Sequence, residues 1–500
     1  MKIPSSPNFL FLIWFVITSS HVSSAQEVFI KDFSEINKKA ENLLNSYVEQ
    51  EEVVGLAITV LHNDKIIYSQ GFGKANLELG LPTTDETLFR LASVSKLFTS
   101  AAVAKLSEEG ILNLDSPIEY YVPQFKGKRW KPTIRQVAAH IGGVRGYSAK
   151  DFENGHDIFK EEYPTTDDAL KIFASDSLLF EPGTKYKYST FGFTLLTAVI
   201  ENISGKKFEN YIAENILLPL EIGEVIPDRP EKIIKNRSAF YDTSEDRTVK
   251  NASFIRSDFK FGGGGLLSSS KSLAQFGCIH IQPGFFNDTT LDRNLFKEQT
   301  LINGKSVNIG LAWRIGIDEN FGKVYHHSGS LPGGRSVLMV WPEQGFVIAV
   351  TSNTTNSPYY AEQFAQVLSH MYLDNIKGSE LQEITFEALN KKLIFSSSNE
   401  EKKNILNLYN SGKYGNLSIP PQIKNELKKR KFPILDHLPI IAFYKNKNGS
   451  TSLILSSDIG LHRLQIEDIL SSEGTNGFLE DLSNKFEWEI KKHPFKITGD

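Results

Sequence analysis

Residues 89–110 (FRLASVSKLFTSAAVAKLSEEG) contain a run that has to be buried. Val94, Leu97, Phe98, Ala101, Val103, Ala104 and Leu106 leave little polar surface before Ser107, Glu108 and Glu109. That pattern predicts a helix apolar on nearly every side, which belongs inside a large domain. Gly110 is a fitting C-terminal stop. The start of the run is polar. Ser93 and Lys96 stand three residues apart, a spacing that puts both on one helix face, one turn apart. A serine hydroxyl is a poor nucleophile until a base takes its proton. A lysine amine is such a base when burial depresses its pKa. Free N–H groups at a helix start favour developing negative charge. Ser-x-x-Lys is a loose pattern, however, and a helix cap followed by a surface lysine satisfies it equally well.

With 500 residues the chain exceeds one typical domain. A 40% hydrophobic and 23% charged composition is that of a soluble globular protein, and the net charge of −4 gives no reason to expect nucleic acid as partner. Residues 1–25 read as a signal peptide. Lys2 supplies the positive start and Phe9–Ile17 an apolar run too short to span a bilayer as a mature helix. Ser23-Ser24-Ala25 is a small-residue cleavage site, and Gln26 would begin the mature chain. The competing reading is an uncleaved anchor. No later stretch is long and apolar enough for a membrane span, so the expected product is exported, periplasmic or secreted. The lone Cys278 can form no intrachain disulfide, which fits a bacterial envelope better than an animal secretory route. Set between apolar residues, Cys278 reads as a buried spectator. The sequons at Asn202 and Asn251 read as chance.

Along the chain, Asp32–Glu49 has helical spacing. Val54–His62 and Lys65–Gly73 read as a hairpin turning at Asn63-Asp64. Gly110–Phe125 is a loop with two prolines. Thr133–His140 is a short helix with Thr133 as N-cap. Asp167–Ser175 is helical, and an apolar helix runs over Phe191–Ile203. Gly262–Gly265 lets backbone or ligand approach closely. It lacks the Gly-Lys-Ser/Thr of a P-loop and a preceding Rossmann strand. Tyr325–Ser330, Ser336–Trp341 and Phe346–Ser352 read as strands, and Tyr359–Leu373 as a helix. Strands near both ends with helices between them predict an α+β fold: one antiparallel sheet built from both ends, plus a helical region. From Ile376 the texture changes. Residues 376–500 read as a small, mostly β accessory domain, with a hairpin over Leu438–Tyr444 and Thr451–Leu455. The enzyme domain would then be 26–375.

Three groups recur in a telling order: Ser93 with Lys96, then Tyr188 in Tyr-Ser-Thr, then His327 in His-Ser-Gly. Together they resemble the serine β-lactamase and penicillin-binding protein superfamily, which uses Ser-x-x-Lys, Tyr-x-Asn and Lys-Thr-Gly or His-x-Gly in this order. The flanks LNLDSPIEYYVPQF, TIRQVAAHIGGV, EPGTKYKYSTFGFTLL, GGGGLLSSSKSLAQF and HHSGSLPGGRSVLMVWPE look like class C β-lactamase-related sequence, over roughly Phe33–Leu373. The Tyr-Ser-Thr-Phe-Gly stretch resembles the mitochondrial serine β-lactamase-like branch.

The resemblance implies the roles. Ser93 would be acylated, and Lys96 with Tyr188 would take and relay its proton, in an order left open. The backbone N–H groups of Ser93 and Ser330, the residue after Gly329, would form the oxyanion hole. His327 would help hold the leaving group or a substrate carboxylate. Two departures stand out. Thr190 replaces the amide of Tyr-x-Asn, and His327 replaces a lysine, which weakens any grip on a β-lactam carboxylate. Peptidase, amidase or esterase activity on a small substrate is therefore the expectation ahead of efficient β-lactamase activity. A non-hydrolytic binding or scaffold protein on the same fold is the alternative. His140 reads as structural, Tyr186 as packing, and Arg335 as either a carboxylate contact or a surface residue. No ligand cluster accompanies His326-His327, so neither metal nor cofactor is expected. An α/β-hydrolase is excluded by the absence of Gly-x-Ser-x-Gly. The oligomeric state is not legible.

Overall fold

The computed structural model describes residues 32–49, 53–243, 248–318, 321–355, 361–378, 383–385, 417–418, 437–438, 440–445, 451–457 and 460–465. Residues 1–25, read above as a signal peptide, lie outside them. Among the described residues, no helix is long and apolar enough to cross a membrane.

The first helix, α1 (Ser34–Glu49), leads into strands β1 (Gly55–His62) and β2 (Lys65–Asn76). Asn63 and Asp64 take φ of 47° and 66°, the left-handed pair of a tight hairpin turn. A short β3 (Leu81–Pro82) follows. Far along the chain come β4 (Arg314–Asp318), β5 (Gly322–Leu331), β6 (Gly334–Trp341) and β7 (Phe346–Ser352). These seven form one sheet in the order β3-β2-β1-β7-β6-β5-β4, with antiparallel neighbours throughout. The two chain ends meet where β1 pairs β7, Ala57 opposite Thr351. The expected α+β sheet is therefore present; β4, a five-residue strand at the edge, is an addition to it.

Alternation assigns the faces. Met339, Trp341, Phe346 and Ile348 pack with α1 and with α6 (Ala361–Ile376). Leu338, Val340, Val347 and Ala349 point the other way, into the core of the helical region. That region is centred on α2 (Ser95–Glu108), of which Lys105, Ser107 and Glu108 alone are not buried. Phe98 stacks on Phe276 at 3.9 Å between ring centroids, joining α2 to α5 (Ser270–Cys278). Gly110 closes α2 at φ 73°. The short α3 (Ile134–Ala138) has a reciprocal cap: Gln136 N–H donates to Thr133 Oγ1 at 3.2 Å, and Thr133 N–H donates to Gln136 Oε1 at 3.0 Å. In α4 (Thr190–Ser204), Ser189 is the N-cap, accepting from Gly192 N–H at 3.0 Å. Toward the C-terminus, strands over Ile440–Lys445 and Thr451–Ser457 pair antiparallel, Phe443 opposite Leu453, and Gly460–Gln465 joins them.

Candidate active site

The turn that carries Ser93 is not yet α-helix. Ala92–Val94 is a single 3₁₀ turn, and α2 begins at Ser95. Ala92 sits at φ 48°, a left-handed conformation that costs an alanine on the order of 1 kcal/mol. The surroundings hold it there. Leu91 N–H donates to Leu266 O at 2.9 Å, and Leu91 O accepts from Ser336 Oγ at 2.5 Å. Strand β5 closes on the same turn. A Cβ on Gly329 would lie 2.1 Å from Leu91 O and 3.0 Å from Ala92 Cβ, so only glycine allows this approach.

Lys96 is fully buried while Ser93 remains partly open. Lys96 Nζ lies 3.2 Å from Ser93 Oγ and 3.4 Å from Thr190 Oγ1, and donates to Gly263 O. Gly263 belongs to the four-glycine run, whose close backbone thus serves this amine. No carboxylate pairs with Lys96 among the described residues. Burial drives its pKa far below the ordinary 10.5, and the nearby Lys260 and Arg314 cations add to the shift.

Tyr188 reaches Ser93 with its hydroxyl, and Lys96 Nζ stands 4.8 Å from the centroid of its ring. Burial raises the phenol's pKa. His140 holds the segment in place. Its ring lies 4.3 Å from that of Tyr188, its Nδ1 accepts from Ser189 N–H at 3.1 Å, and its carbonyl accepts from Lys187 N–H at 2.9 Å. Both residues flanking Tyr188 therefore donate their N–H groups to one histidine, itself at φ 61°.

The register of β5 decides between the two adjacent histidines. His326 lies opposite Met339 and faces the α1/α6 layer. His327 lies opposite Leu338 and faces the helical region, its ring 6.3 Å from that of Tyr188. The His327 Nδ1–H donates to Ser328 O at 2.7 Å, leaving the Nε2 lone pair as the free ring nitrogen. Burial pushes its protonation far down, with Arg314 and Lys96 contributing. Ser330, one residue past the Gly329 contact, is exposed and lies opposite Arg335.

Three side chains at this site were not legible in the sequence. Arg314, at the start of the edge strand β4, acts electrostatically on Lys96, His140, Tyr186, Tyr188 and His327. It has no carboxylate partner among the described residues. Tyr147 has its hydroxyl on Thr190. Lys260 is a second fully buried lysine, packed over Phe159 at 4.2 Å. The one available signal was an arginine opening an alternating strand, in Trp-Arg-Ile-Gly-Ile. Cys278 is buried with its thiol pushed up to about 12, which makes it inert. Among the described residues, no group of His, Cys, Asp or Glu has the arrangement to hold a metal ion.

Comparison with known proteins places this geometry. The serine beta-lactamase-like protein LACTB, mitochondrial, of Mus musculus is 27% identical over 408 residues, covering 63% of this chain and 74% of that protein. Penicillin-binding protein 4* of Bacillus subtilis (strain 168) is 24% identical over 347 residues, covering 67% and 75%. Among solved structures, the octameric penicillin-binding protein homologue from Pyrococcus abyssi superposes with a TM-score of 0.58 at 22% identity, covering 86% of this chain and 90% of that one. The D-amino acid amidase from Ochrobactrum anthropi SV3 gives 0.56 at 17% identity, covering 69% and 98%. The beta-lactamase family model matches residues 40–371. With the sheet, the buried lysine beside a serine and this match in agreement, the chain belongs to the beta-lactamase family, the serine hydrolases of the β-lactamase and DD-peptidase type.

Proposed function

We propose that the protein hydrolyses peptide, amide or ester bonds through an acyl-enzyme on Ser93. The observation that carries this reading is the buried Lys96 amine, 3.2 Å from Ser93 Oγ and free of any carboxylate partner among the described residues. A neutral amine has two N–H donors and one lone pair. Gly263 O and Thr190 Oγ1 take the donors, and the lone pair is left for the Ser93 proton. Lys96 is then the base, and Tyr188, whose phenol stays protonated, is the relay and acid.

The Ser93 Oγ–carbon bond forms as its proton passes to Lys96. The tetrahedral oxyanion is stabilised by the N–H groups of Ser93 and Ser330, a donor of this kind contributing about 3–4 kcal/mol. Collapse breaks the bond to the leaving group, which takes the proton through Tyr188. Water then adds to the ester carbonyl, releasing a carboxylic acid and restoring the Ser93 hydroxyl.

Because His327 is neutral, the cation suited to a substrate carboxylate is Arg314. This favours a small peptide or amide with an acidic leaving side. The D-amino acid amidase and the penicillin-binding proteins among its likenesses agree with that range. Export through residues 1–25 and a separate unit at 376–500 belong to the same proposal; the second is supported by the matched span ending at residue 371.

Two experiments test it. A fluorophosphonate or labelled penicillin should modify Ser93, and Ser93→Ala should abolish labelling; absence of any adduct would favour the scaffold alternative. A screen against nitrocefin, D-Ala-D-Ala peptides, D-amino-acid amides and short-chain p-nitrophenyl esters should locate the preferred bond.

A further inference from the structure

A shelf of aromatic rings opens to solvent beside Thr190. Tyr147 is 39% exposed and Phe152 43%, an apolar surface of the kind that marks ligand grooves when it is contiguous. It is contiguous here. Tyr147 lies 5.6 Å from Phe159 and 6.5 Å from Phe152 between ring centroids, and Phe152 stacks on Phe159 at 5.7 Å. The inner edge rests on the buried Phe259, 5.6 Å from Phe159.

The shelf is built to stay in place. Arg145, just before Tyr147, forms a bidentate pair with Asp151, just before Phe152, at 2.7 and 2.9 Å. The buried Lys260 Nζ sits over the Phe159 ring at 4.2 Å from its centroid. The shelf is also continuous with the reacting groups, because the Tyr147 hydroxyl bonds Thr190, whose Oγ1 is 3.4 Å from Lys96 Nζ. The site is thus polarised. Arg314 acts electrostatically on His327, whereas the groups that act on Tyr147 are Thr190, Tyr188 and Asp151.

We propose that the Tyr147–Phe152–Phe159 shelf is the acyl-side subsite of this enzyme and selects substrates whose acyl group carries an aromatic or extended apolar substituent. The proposal rests on Ser93 being the acylated residue. A ring laid on the shelf displaces weakly held water from the exposed Tyr147 and Phe152 rings, which Phe159 backs, and apolar discrimination of this size is typically worth tenfold or more in kcat/KM.

The test compares p-nitrophenyl phenylacetate with p-nitrophenyl acetate, each corrected for its uncatalysed rate, using the full chain and its Phe152→Ala, Phe159→Ala and Ser93→Ala variants. Thermal melts and size-exclusion chromatography are run alongside. The expected phenylacetate-to-acetate ratio of kcat/KM is about ten or more, falling several-fold toward one in both phenylalanine variants. A ratio near one in the parent overturns the subsite, as does an unchanged ratio in folded Phe152→Ala and Phe159→Ala. A change of oligomeric state with the ratio unchanged would make the shelf a contact between copies, and overturns it too. Turnover that survives Ser93→Ala, or no turnover of either ester, is a different failure: it removes the acyl-enzyme reading itself.

Discussion

At the scale of single residues, the site depends on the low dielectric around one amine. Lys96→Met keeps the stem and removes the base, so labelling of Ser93 should slow by about 10²-fold or more, read from the time course of fluorophosphonate adduct formation. The same variant should be more stable than the parent at neutral pH. Burial lowers the Lys96 pKa in the folded chain while the unfolded chain keeps the ordinary value, so its contribution to stability rises with pH from the depressed pKa up to 10.5. Lys96→Met deletes that cost, and a higher Tm is the expected readout. For activity the sign is the same: if Lys96 is the base, as proposed, kcat/KM should rise with pH along an acid limb lying well below 10.5. His140 acts at one remove. Its Nδ1 has to carry a lone pair to accept from Ser189 N–H, and burial, with Arg314 adding to it, disfavours its protonation. His140→Ala should lower kcat more than it changes KM, and His140→Asn, which restores an acceptor, should recover part of the loss. No kcat difference between the two variants would make His140 mere packing.

Elements bring these residues together by close contact of backbone. The 3₁₀ turn before α2 is shaped by Leu91 and Ala92, and β5 meets it at Gly329. The added methyl of Gly329→Ala would sit 2.1 Å from Leu91 O, with backbone on both sides of the clash. The strand has to retreat, at roughly 1–3 kcal/mol for overpacking of this kind. Urea unfolding should show that loss, and acylation of Ser93 should fall further than the folded fraction does, because Ser330 N–H moves with the strand. One helix start was readable, since Thr133 is a cap, and Asn63-Asp64 turns its hairpin; the Ser189 cap of α4 was not singled out. The start of α2 was not readable either. Ser-x-x-Lys spacing predicts a continuous helix, whereas the left-handed Ala92 and the 3₁₀ turn arise from packing against β5 and Leu266, which no local propensity encodes.

For the whole molecule, the decisive feature is that β1 pairs β7 across almost 300 residues. The sheet that positions His327 cannot form until both ends are present, so core damage at one end should be felt at the site through folding alone. Ile58, wholly buried toward the α1/α6 layer, tests this. Ile58→Ala should cost about 2–5 kcal/mol in urea unfolding, while kcat per folded molecule holds. A fall in kcat well beyond the unfolded fraction would mean that the outer layer shapes the pocket directly.

Sequence alone was enough for what short-range chemistry encodes: the buried helix, the strand alternation and the hairpin turns; it also singled out Ser93, Lys96, Tyr188 and His327 as the candidates the proposed function uses. Tertiary structure decided what depends on approach in space. It turned His327 rather than His326 toward the helical region, through strand register. It set Gly263 O and Thr190 against the Lys96 amine, lowered the pKa of that amine by burial, and brought Arg314 within electrostatic reach of Lys96, Tyr188 and His327. Charge state and neighbourhood are properties of the surrounding medium, and a chain acquires a medium only when distant segments have packed.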